Sequence, residues 1–228
     1  MESVNVAKNL QRVTQRITEA ERLYGRPKGS VGLVAVSKTK PPALLREAWN
    51  CGQRAFGENY AQELVEKSRQ LADLAIEWHF VGPLQSNKTQ SLANTMTWFH
   101  SLDRIKIARR LSEQRDPTRP PLNVCLQVNI STELSKAGVQ EAELADVANE
   151  VAMLPGIKLR GLMAIPEATT DPSRQRTAFA ALRSLLDTQR RFHPSMDTLS
   201  MGMSGDLEAA VAEGATLVRI GTDIFGAR

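Results

Sequence analysis

The sequence predicts an α/β protein, a single (β/α)8 barrel of the TIM type with an extra helix at its N-terminus. Short apolar runs alternate with helical patterns along nearly all of the 228 residues. Strands that alternate with helices form parallel sheets with right-handed crossovers. About eight such units close a barrel of about 250 residues, which matches this chain. No GxGxxG motif follows the first strand, so a Rossmann site has no support, and an open doubly wound sheet is the alternative architecture.

The individual elements follow from hydrophobic periodicity and turn residues. The chain opens with an amphipathic helix, because apolar residues recur every three or four positions at Val6, Leu10, Val13, Ile17, Ala20 and Tyr24. Apolar runs predict strands at 31–37, 54–57, 77–82, 97–102, 122–130, 158–165, 198–201 and 216–220. Helical patterns between them lie at 43–51, 62–74, 104–114, 141–154, 174–192 and 207–213. Residues 1–228 therefore form one predicted barrel domain, with no segment left for a second.

Composition and charge limit the classes of function. Hydrophobic residues make up 42% and charged residues 24% of the chain, the balance of an ordinary soluble domain. The net charge of +4 permits an acidic ligand, but the basic residues are dispersed and aromatic residues are few, so no nucleic-acid partner is expected. Cys51 and Cys125 form no CxxC pair, and the three histidines have no ligand spacing, so no disulfide framework or metal site is predicted.

Two further classes have no support in the sequence. The N-terminal segment MESVNVAKNLQRV has no hydrophobic signal core, and no apolar stretch is long enough to cross a bilayer. We therefore expect a cytoplasmic protein without a membrane partner. A Ser/His/Asp hydrolase is not indicated, because the chain contains no GxSxG motif.

Lys38 is the first candidate functional residue. It follows the apolar run VGLVAVS and precedes the pair Pro41-Pro42, so it stands at the carboxyl end of the first predicted strand. Active sites of barrels form at that end. Partial desolvation and the nearby Lys40 would favour a neutral amine, which forms Schiff bases with carbonyl compounds. The alternative is an ordinary lysine that reaches into water.

The loops after the last two predicted strands suggest a phosphate site. Barrels often hold phosphate with the loops after strands seven and eight and with a helix N-terminus. Ser204 precedes the predicted helix 207–213 as its expected N-cap, and Gly205 lets the backbone approach an anion. Gly221 and Thr222 add an N–H group and a hydroxyl from the neighbouring loop. The side chain of Asp206 is expected to point away. Turn glycines and a capping serine without a ligand are the alternative.

Arg219 interrupts the apolar final strand. Period-two alternation places it on the face of Leu217 and Gly221. A buried guanidinium needs a partner, because burial of an unpaired charge is costly. Two interpretations remain: an internal salt bridge, for example with Glu58, or a donor aimed at a bound ring or anion.

A Schiff-base lysine, a phosphate site and an arginine describe a pocket for pyridoxal 5′-phosphate. The sequence also resembles the YggS/PROSC family of pyridoxal phosphate homeostasis proteins, which are similar to the barrel domain of alanine racemase. The segments that carry the resemblance span essentially the whole chain: AVSKTKP, FGENYAQE, WHFVGPLQSNK, VNIS with Lys136-Ala137-Gly138, GLMAIP, SMGMSGD and VRIGTDIFG. The one departure is Thr222-Asp223, where the family pattern has a small residue after the threonine.

The resemblance implies roles for individual residues. Lys38 holds the cofactor as an internal aldimine, Asn59 lies beside its ring, and Arg219 faces the pyridine nitrogen. The phosphate is bound by Ser204, Gly205, Gly221 and Thr222. The strand-end residues His79, Met163 and Ser200 complete the predicted set of cofactor contacts. Lys136, in the loop after the fifth strand, is either a second, exchangeable docking point or a solvated lysine.

The predicted function is that of a non-catalytic carrier, and no catalytic residue is assigned. Arginine does not give up its proton, so the pyridine nitrogen beside it stays unprotonated and the ring is a poorer electron sink. Alanine racemase takes one of its acid–base groups from a second domain, for which the predicted single barrel leaves no segment. The carrier would be a monomer that limits free pyridoxal 5′-phosphate and passes it transiently to apo forms of enzymes that depend on it.

Two alternatives to the carrier remain open. An amino-acid racemase or decarboxylase would have to use Tyr60, His79 or Lys38 itself for acid–base chemistry. The other alternative is a phosphate-binding barrel with a different ligand, in which Lys38 has no role.

Overall fold

Eight parallel strands in the described part of the chain close a barrel, with each strand paired to its neighbours in chain order and β8 paired to β1. The computed structural model describes residues 4–131 and 137–227. The strands are β1 (Gly32–Val36), β2 (Ala55–Glu58), β3 (Glu77–Phe80), β4 (Trp98–Leu102), β5 (Leu122–Gln127), β6 (Ile157–Met163), β7 (Thr198–Ser200) and β8 (Leu217–Ile220). The predicted barrel is therefore confirmed, and the open doubly wound sheet is excluded.

Helices surround the barrel, and the N-terminal helix is present as predicted. They are α1 (Val6–Leu23), α2 (Pro42–Asn50), α3 (Ala61–Gln70), α4 (Thr89–Leu92), α5 (Ile105–Gln114), α6 (Leu144–Ala152), α7 (Pro172–Arg190), α8 (Leu207–Ala212) and α9 (Thr222–Phe225). Asn5 caps α1 by accepting a hydrogen bond from the Lys8 N–H at 2.9 Å. The buried face of α1 packs on α2, α8 and α9.

Side chains alternate along the strands between two cores. Outward-facing residues such as Phe56, Phe80 and Phe99 are fully buried against the helices and form the main core. The barrel interior holds a smaller apolar cluster of Trp98, Cys125 and Met163 with Leu217 packed on it. Polar groups share this interior, namely His79, His100, Ser200 and Arg219, all of them buried. The face predicted for Arg219 is thus the interior one.

Gly161 sets the closest backbone approach between β6 and β7. It pairs with Thr198, and a Cβ atom at this position would lie 1.8 Å from the Thr198 carbonyl oxygen. Any side chain here would push the two strands apart, so the glycine is needed for barrel closure.

Three short elements were not predicted from the sequence. A 3-10 turn at Ser86–Lys88 leads into α4 between β3 and β4, and α9 follows β8 directly. Helices of four residues show no measurable periodicity, because a single turn contains one apolar contact face at most. Several strands are shorter than predicted. The run at 122–130, for example, forms β5 only as far as Gln127 and continues as an isolated bridge between Val128 and Val139.

No helix within residues 4–131 and 137–227 is both long and apolar enough to cross a membrane.

Candidate functional site

A cavity opens at the carboxyl ends of the strands, where the sequence predicts the site. Its volume is about 310 Å³. Apolar walls come from Val36, Val81, Ile165 and Met203. Seven of the ten predicted cofactor contacts line it: Lys38, Asn59, Ser204, Gly205, Arg219, Gly221 and Thr222. They come from the ends of β1 and β2 and from the loops around β7 and β8, so residues far apart in sequence meet here.

Lys38 lies between two fixed main-chain positions. The carbonyl oxygen of Ser37 accepts a hydrogen bond from Lys67 Nζ at 2.8 Å, and the N–H of Thr39 donates to Glu63 Oε2 at 2.8 Å. Thr39 adopts φ of 64°, a left-handed conformation that costs energy for a β-branched residue and that these bonds help to hold. Lys38 itself is half-buried, and its Nζ has no hydrogen-bond or ion-pair partner among the described residues.

The neighbouring Lys40 is already engaged. Its Nζ donates to the carbonyl oxygen of Ala227 at 2.7 Å. Both lysines line the cavity, but only the Lys38 amine is left without a partner in the described chain.

Glu58 and Lys67 form a buried pair beneath the Lys38 loop. Lys67 Nζ lies 2.8 Å from Glu58 Oε1 and 2.9 Å from Glu63 Oε2. Ser37 Oγ donates to the same Glu58 oxygen at 2.6 Å. Burial raises the pKa of Glu58 to about 7, although Lys67 and Ser37 oppose the shift. No sequence pattern singled out Lys67; its only signal is the spacing of four residues from Glu63 on α3.

Arg219 does not pair with Glu58, so the internal salt bridge suggested for it is wrong. Glu58 is taken by Lys67, and Arg219 finds neutral acceptors instead. Its Nη1 donates to Ser200 Oγ at 2.7 Å and its Nη2 to the Ala164 carbonyl at 3.1 Å. Burial lowers the pKa of Arg219 to about 10, so the guanidinium stays protonated at neutral pH. Among the described residues, these two hydrogen bonds hold the charge at the cavity floor, and the carboxyl group of Asp206 lies near enough to favour it.

Asn59 presents an unsatisfied acceptor at the cavity. Its Oδ1 is buried and has no hydrogen-bond partner among the described residues. Gly82 makes this placement possible, since a Cβ atom there would lie 2.1 Å from the Asn59 carbonyl oxygen. A buried polar atom without a partner costs about 1–3 kcal/mol, which a ligand that donates to it would recover.

The loop between β7 and α8 differs from the prediction in its cap. Asp206, not Ser204, is the N-cap residue of α8. Its Oδ1 accepts a hydrogen bond from the Met203 N–H at 2.6 Å, which closes the loop. Asp206 was predicted to point away from the anion, and its side chain is not among those that line the cavity. Burial raises the pKa of this carboxyl group.

Main-chain N–H groups are exposed at the wall formed by these loops. Within the described residues, those of Ser204, Gly205 and Thr222 donate no hydrogen bond. A Cβ atom on Gly205 would meet nothing within 4 Å, so the backbone borders open space, whereas one on Gly221 would lie 2.9 Å from the Val36 carbonyl oxygen. Free N–H groups beside a glycine can bind an anion.

Three predicted contacts do not line the cavity. His79, Met163 and Ser200 are fully buried in the barrel interior beneath it. Ser200 touches Arg219 from below, and His79 lies further from the cavity, stacked on Trp98 with ring centroids 5.7 Å apart. Strand-end position alone suggested these residues, but inward-facing residues lie at several depths. Tyr60 is half exposed and also lies outside the lining, and Lys136 is outside the described residues.

The comparisons with known protein sequences agree with one another. Residues 5–228 match the sequence model of the family described as alanine racemase, N-terminal domain. A protein of Pseudomonas aeruginosa named pyridoxal phosphate homeostasis protein is 56% identical over 223 residues, covering 98% of this chain and 96% of the relative. The protein of the same name from Escherichia coli is 49% identical over 234 residues, covering 98% and 97%.

Solved structures agree with the sequence relatives. PipY of Synechococcus elongatus, solved with PLP bound, has a TM-score of 0.80 and 37% identity, covering 92% of this chain and 100% of that chain. Alanine racemase of Corynebacterium glutamicum has a TM-score of 0.74 at 17% identity, covering 98% of this chain and 61% of that chain. The second likeness is one of fold.

Proposed function

Because the chain belongs to the family of pyridoxal phosphate homeostasis proteins, built on the N-terminal domain fold of alanine racemase, we propose that it binds pyridoxal 5′-phosphate in the cavity at the strand ends and takes part in the homeostasis of this cofactor. We propose a single barrel domain over residues 1–228. The observation that carries the proposal is the unpartnered amine of Lys38, which shares one cavity with free N–H groups and a buried cation.

The residues present fit the chemical groups of this cofactor. A volume of about 310 Å³ lies at the lower end of the range for small-molecule sites. The unsatisfied Asn59 Oδ1 and the open space beside Gly205 are features that a polar, phosphorylated ligand would use. Apolar side chains at Ile165 and Met203 offer walls for a ring.

Each group then has a defined role. Pyridoxal 5′-phosphate supplies an aldehyde that condenses with a primary amine and releases water, so Lys38 Nζ is the proposed point of attachment as a Schiff base. The N–H groups of Ser204, Gly205 and Thr222 bind the phosphate. Arg219 would donate to the pyridine nitrogen and, since the guanidinium keeps its proton, would leave that nitrogen unprotonated.

We further propose that the protein is a carrier without turnover. A racemase needs acid–base groups on both faces of a substrate, and neither Tyr60 nor His79 lines the cavity. Both ring nitrogens of His79 are also engaged, one with Glu77 and one with His100. A monomer in the cytoplasm that delivers the cofactor transiently to apo enzymes fits this arrangement.

The test compares wild type with Lys38→Ala and Lys40→Ala after addition of pyridoxal 5′-phosphate. We expect a visible absorbance band in wild type and in Lys40→Ala, its loss in Lys38→Ala, and borohydride trapping of the label on Lys38. Lys40 is the matched control because it lines the same cavity but is bonded to Ala227.

Three results would each contradict a part of the proposal. A wild type without a band would remove pyridoxal 5′-phosphate as the ligand and favour the phosphate-binding barrel. Turnover of any amino acid in a panel by the loaded protein would replace the carrier with an enzyme. A band that persists in Lys38→Ala would move the attachment point to another lysine, first of all Lys136.

A further inference from the structure

A continuous row of hydrogen bonds crosses the barrel interior from the opposite face to the cavity. We call it the interior row, and it consists of Glu77, His79, His100, Ser200 and Arg219. Successive contacts are 2.7 Å from Glu77 Oε1 to His79 Nε2, 2.8 Å from His79 Nδ1 to His100 Nε2, 2.6 Å from His100 Nδ1 to Ser200 Oγ and 2.7 Å from Ser200 Oγ to Arg219 Nη1.

The position of the row in the fold is unusual. Barrel interiors are filled mainly by branched apolar side chains. Here the row connects β3, β4, β7 and β8, and its second Arg219 bond reaches the Ala164 carbonyl beyond β6. Glu77 begins β3 at the amino end of the barrel and its side chain is 47% exposed, whereas the two histidines, Ser200 and Arg219 are buried. One end of the row therefore meets solvent at the amino end of the barrel, and the other end reaches the cavity.

The protons of the row can be placed by elimination. Arg219 is a donor only, so Ser200 Oγ must accept from it. Burial lowers the pKa of His79 and, with the charges of its neighbours, that of His100, so each ring carries one proton. The hydrogen bond to His79 lowers the pKa of Glu77, which is therefore a carboxylate and accepts.

A single donor direction satisfies these conditions. His79 must donate its Nε2–H to Glu77, which leaves Nδ1 as the acceptor for the Nε2–H of His100. The Nδ1 of His100 is then an acceptor for the Ser200 hydroxyl, whose lone pair faces Arg219. The reverse direction would set the unprotonated Nε2 of His79 against the Glu77 carboxylate at 2.7 Å, two acceptors in contact. The row thus runs from the cation at the cavity to the carboxylate at the far face.

We propose that Glu77, His79, His100 and Ser200 are positioning residues, which hold Arg219 as a fixed donor toward the ring nitrogen of the bound cofactor. This inference rests on the proposed function and deepens it. Aligned hydrogen bonds polarise one another in a low-dielectric interior, and the bond that one imidazole nitrogen makes fixes the tautomer at the other. Ser200 is the last member before Arg219, so its hydroxyl transmits the orientation. Other charges near the row are Arg160 close to Glu77 and Asp206 close to Arg219.

The test uses pyridoxal 5′-phosphate labelled with 15N in the ring, bound to the full chain. The variants are Ser200→Ala, Ser200→Thr and Glu77→Leu, with Cys125→Ala as an interior control outside the row and Glu150→Leu as a surface control. We measure the dissociation constant, the 15N chemical shift of the ring and the unfolding midpoint of each protein.

We expect Ser200→Ala to bind about tenfold more weakly, the effect of one lost hydrogen bond to a charged group, and to shift the ring 15N resonance. Ser200→Thr keeps the hydroxyl and should restore both values. Glu77→Leu should also shift the resonance, although Glu77 does not line the cavity. Both controls should match wild type in the dissociation constant and in the ring resonance, and Cys125→Ala, which removes a buried side chain, should lower only the unfolding midpoint.

The alternative is that the row only satisfies buried polar groups and stabilises the barrel. In that case, Ser200→Ala and Glu77→Leu would lower the unfolding midpoint while the dissociation constant and the ring resonance stay at wild-type values, and the inference would be overturned. If Glu77→Leu fails to fold, the Ser200→Ala and Ser200→Thr pair decides alone. Absence of cofactor binding in wild type would instead refute the proposed function itself.

Discussion

Glu58 is a buried carboxyl group beneath the loop that carries Lys38, so its protonation state affects the hydrogen bonds that hold this loop. Its Oε1 accepts from Lys67 and Ser37, while its Oε2 is buried without a partner among the described residues. Lys67 in turn holds the Ser37 carbonyl and Glu63. Removal of one member of such a pair leaves a buried charge uncompensated, so the pair acts as a unit.

We expect Glu58→Gln to change how stability depends on pH. The pKa of Glu58 is about 7 in the folded state, raised by burial from its ordinary value of 4.5. The folded state therefore holds a proton that the unfolded state releases between these values. The stability of wild type relative to Glu58→Gln should be greatest below pH 4.5 and decrease as pH rises to about 7.

The measurement is chemical unfolding of both proteins from pH 4 to pH 9. The slope of the difference is limited to about 1.4 kcal/mol per pH unit for one proton. Glu150→Gln, on the surface, reports the effect of removing a carboxylate that is not buried. A difference that stays constant with pH would mean that Lys67 keeps Glu58 ionised throughout.

Single residues of the site could be predicted from the sequence, but their hydrogen-bond partners could not. Lys38 and Arg219 stood out because a charged residue interrupts or ends an apolar run, and both line the cavity. Their partners could not be predicted, because hydrogen bonds across a barrel join residues with no regular sequence spacing. The pairing of Glu58 with Lys67 rather than Arg219 is one example, and the contact of His100 with Ser200, 100 positions apart, is another.

At the scale of elements, α1 fastens the two loops proposed to bind phosphate. Arg16 reaches from α1 to both: its Nη1 lies 2.8 Å from Asp223 Oδ2, and its Nη2 donates to the Ser204 carbonyl at 3.1 Å. Glu208 at the start of α8 completes the set at 3.0 Å. A helix that precedes the first strand thus fixes the geometry at the last two.

We expect Arg16→Met to weaken cofactor binding while the fold is kept. Arg16 and Asp223 are each more than a quarter exposed, so each ion pair contributes at most about 1 kcal/mol. The loss in affinity should therefore be about three- to tenfold and appear mainly in the dissociation rate, since the loops would open more often.

Arg22→Met is the matched control for this experiment. Arg22 lies in the last turn of the same helix, and its side chain forms no ion pair within the described residues. Stopped-flow measurement of cofactor release from both variants gives the comparison. Equal rates for Arg16→Met and wild type would show that the loops keep their shape without α1.

Element boundaries show a second limit of prediction. The expected N-cap at Ser204 was wrong: Asp206 is the N-cap residue of α8, and its side chain accepts from the Met203 N–H rather than from the helix. Ser204 and Asp206 are both residue types that cap helices well, so the sequence pattern does not choose between them. Helix α9 was missed because its four residues gain stability from burial of Ile224 and Phe225 and from packing on α1, a tertiary effect that no local pattern reports.

Across the molecule, the stability of the barrel and ligand binding in the cavity can be tested separately. The fold class followed from the alternation of strands and helices, since that alternation constrains topology more strongly than any single element does. The barrel depends on close backbone contacts such as that of Gly161 with Thr198. The open space in the cavity depends on backbone that carries no side chain, as at Gly205.

We therefore expect Gly161→Ala to lower mainly the stability of the fold and Gly205→Ala to weaken mainly cofactor binding. In Gly161→Ala, the new methyl group would lie 1.8 Å from the Thr198 carbonyl oxygen, so β6 and β7 must separate. Overpacking of this severity costs about 3 kcal/mol, or a decrease of roughly 6–12 °C in the unfolding midpoint for a chain of this size. In Gly205→Ala, nothing lies within 4 Å of the added methyl, so the midpoint should stay at the wild-type value.

Cofactor binding should be weakened in Gly205→Ala, the variant whose unfolding midpoint is unchanged. The methyl group of Gly205→Ala would project beside the N–H groups that we assign to the phosphate and should weaken binding, measured by fluorescence titration below the unfolding temperature. Gly161→Ala leaves the N–H groups of the phosphate loops in place, so its main effect should be on the unfolding midpoint rather than on the binding of the phosphate. Wild-type affinity in Gly205→Ala would place the phosphate elsewhere in the cavity, because the bare backbone at this position would then have no ligand to accommodate.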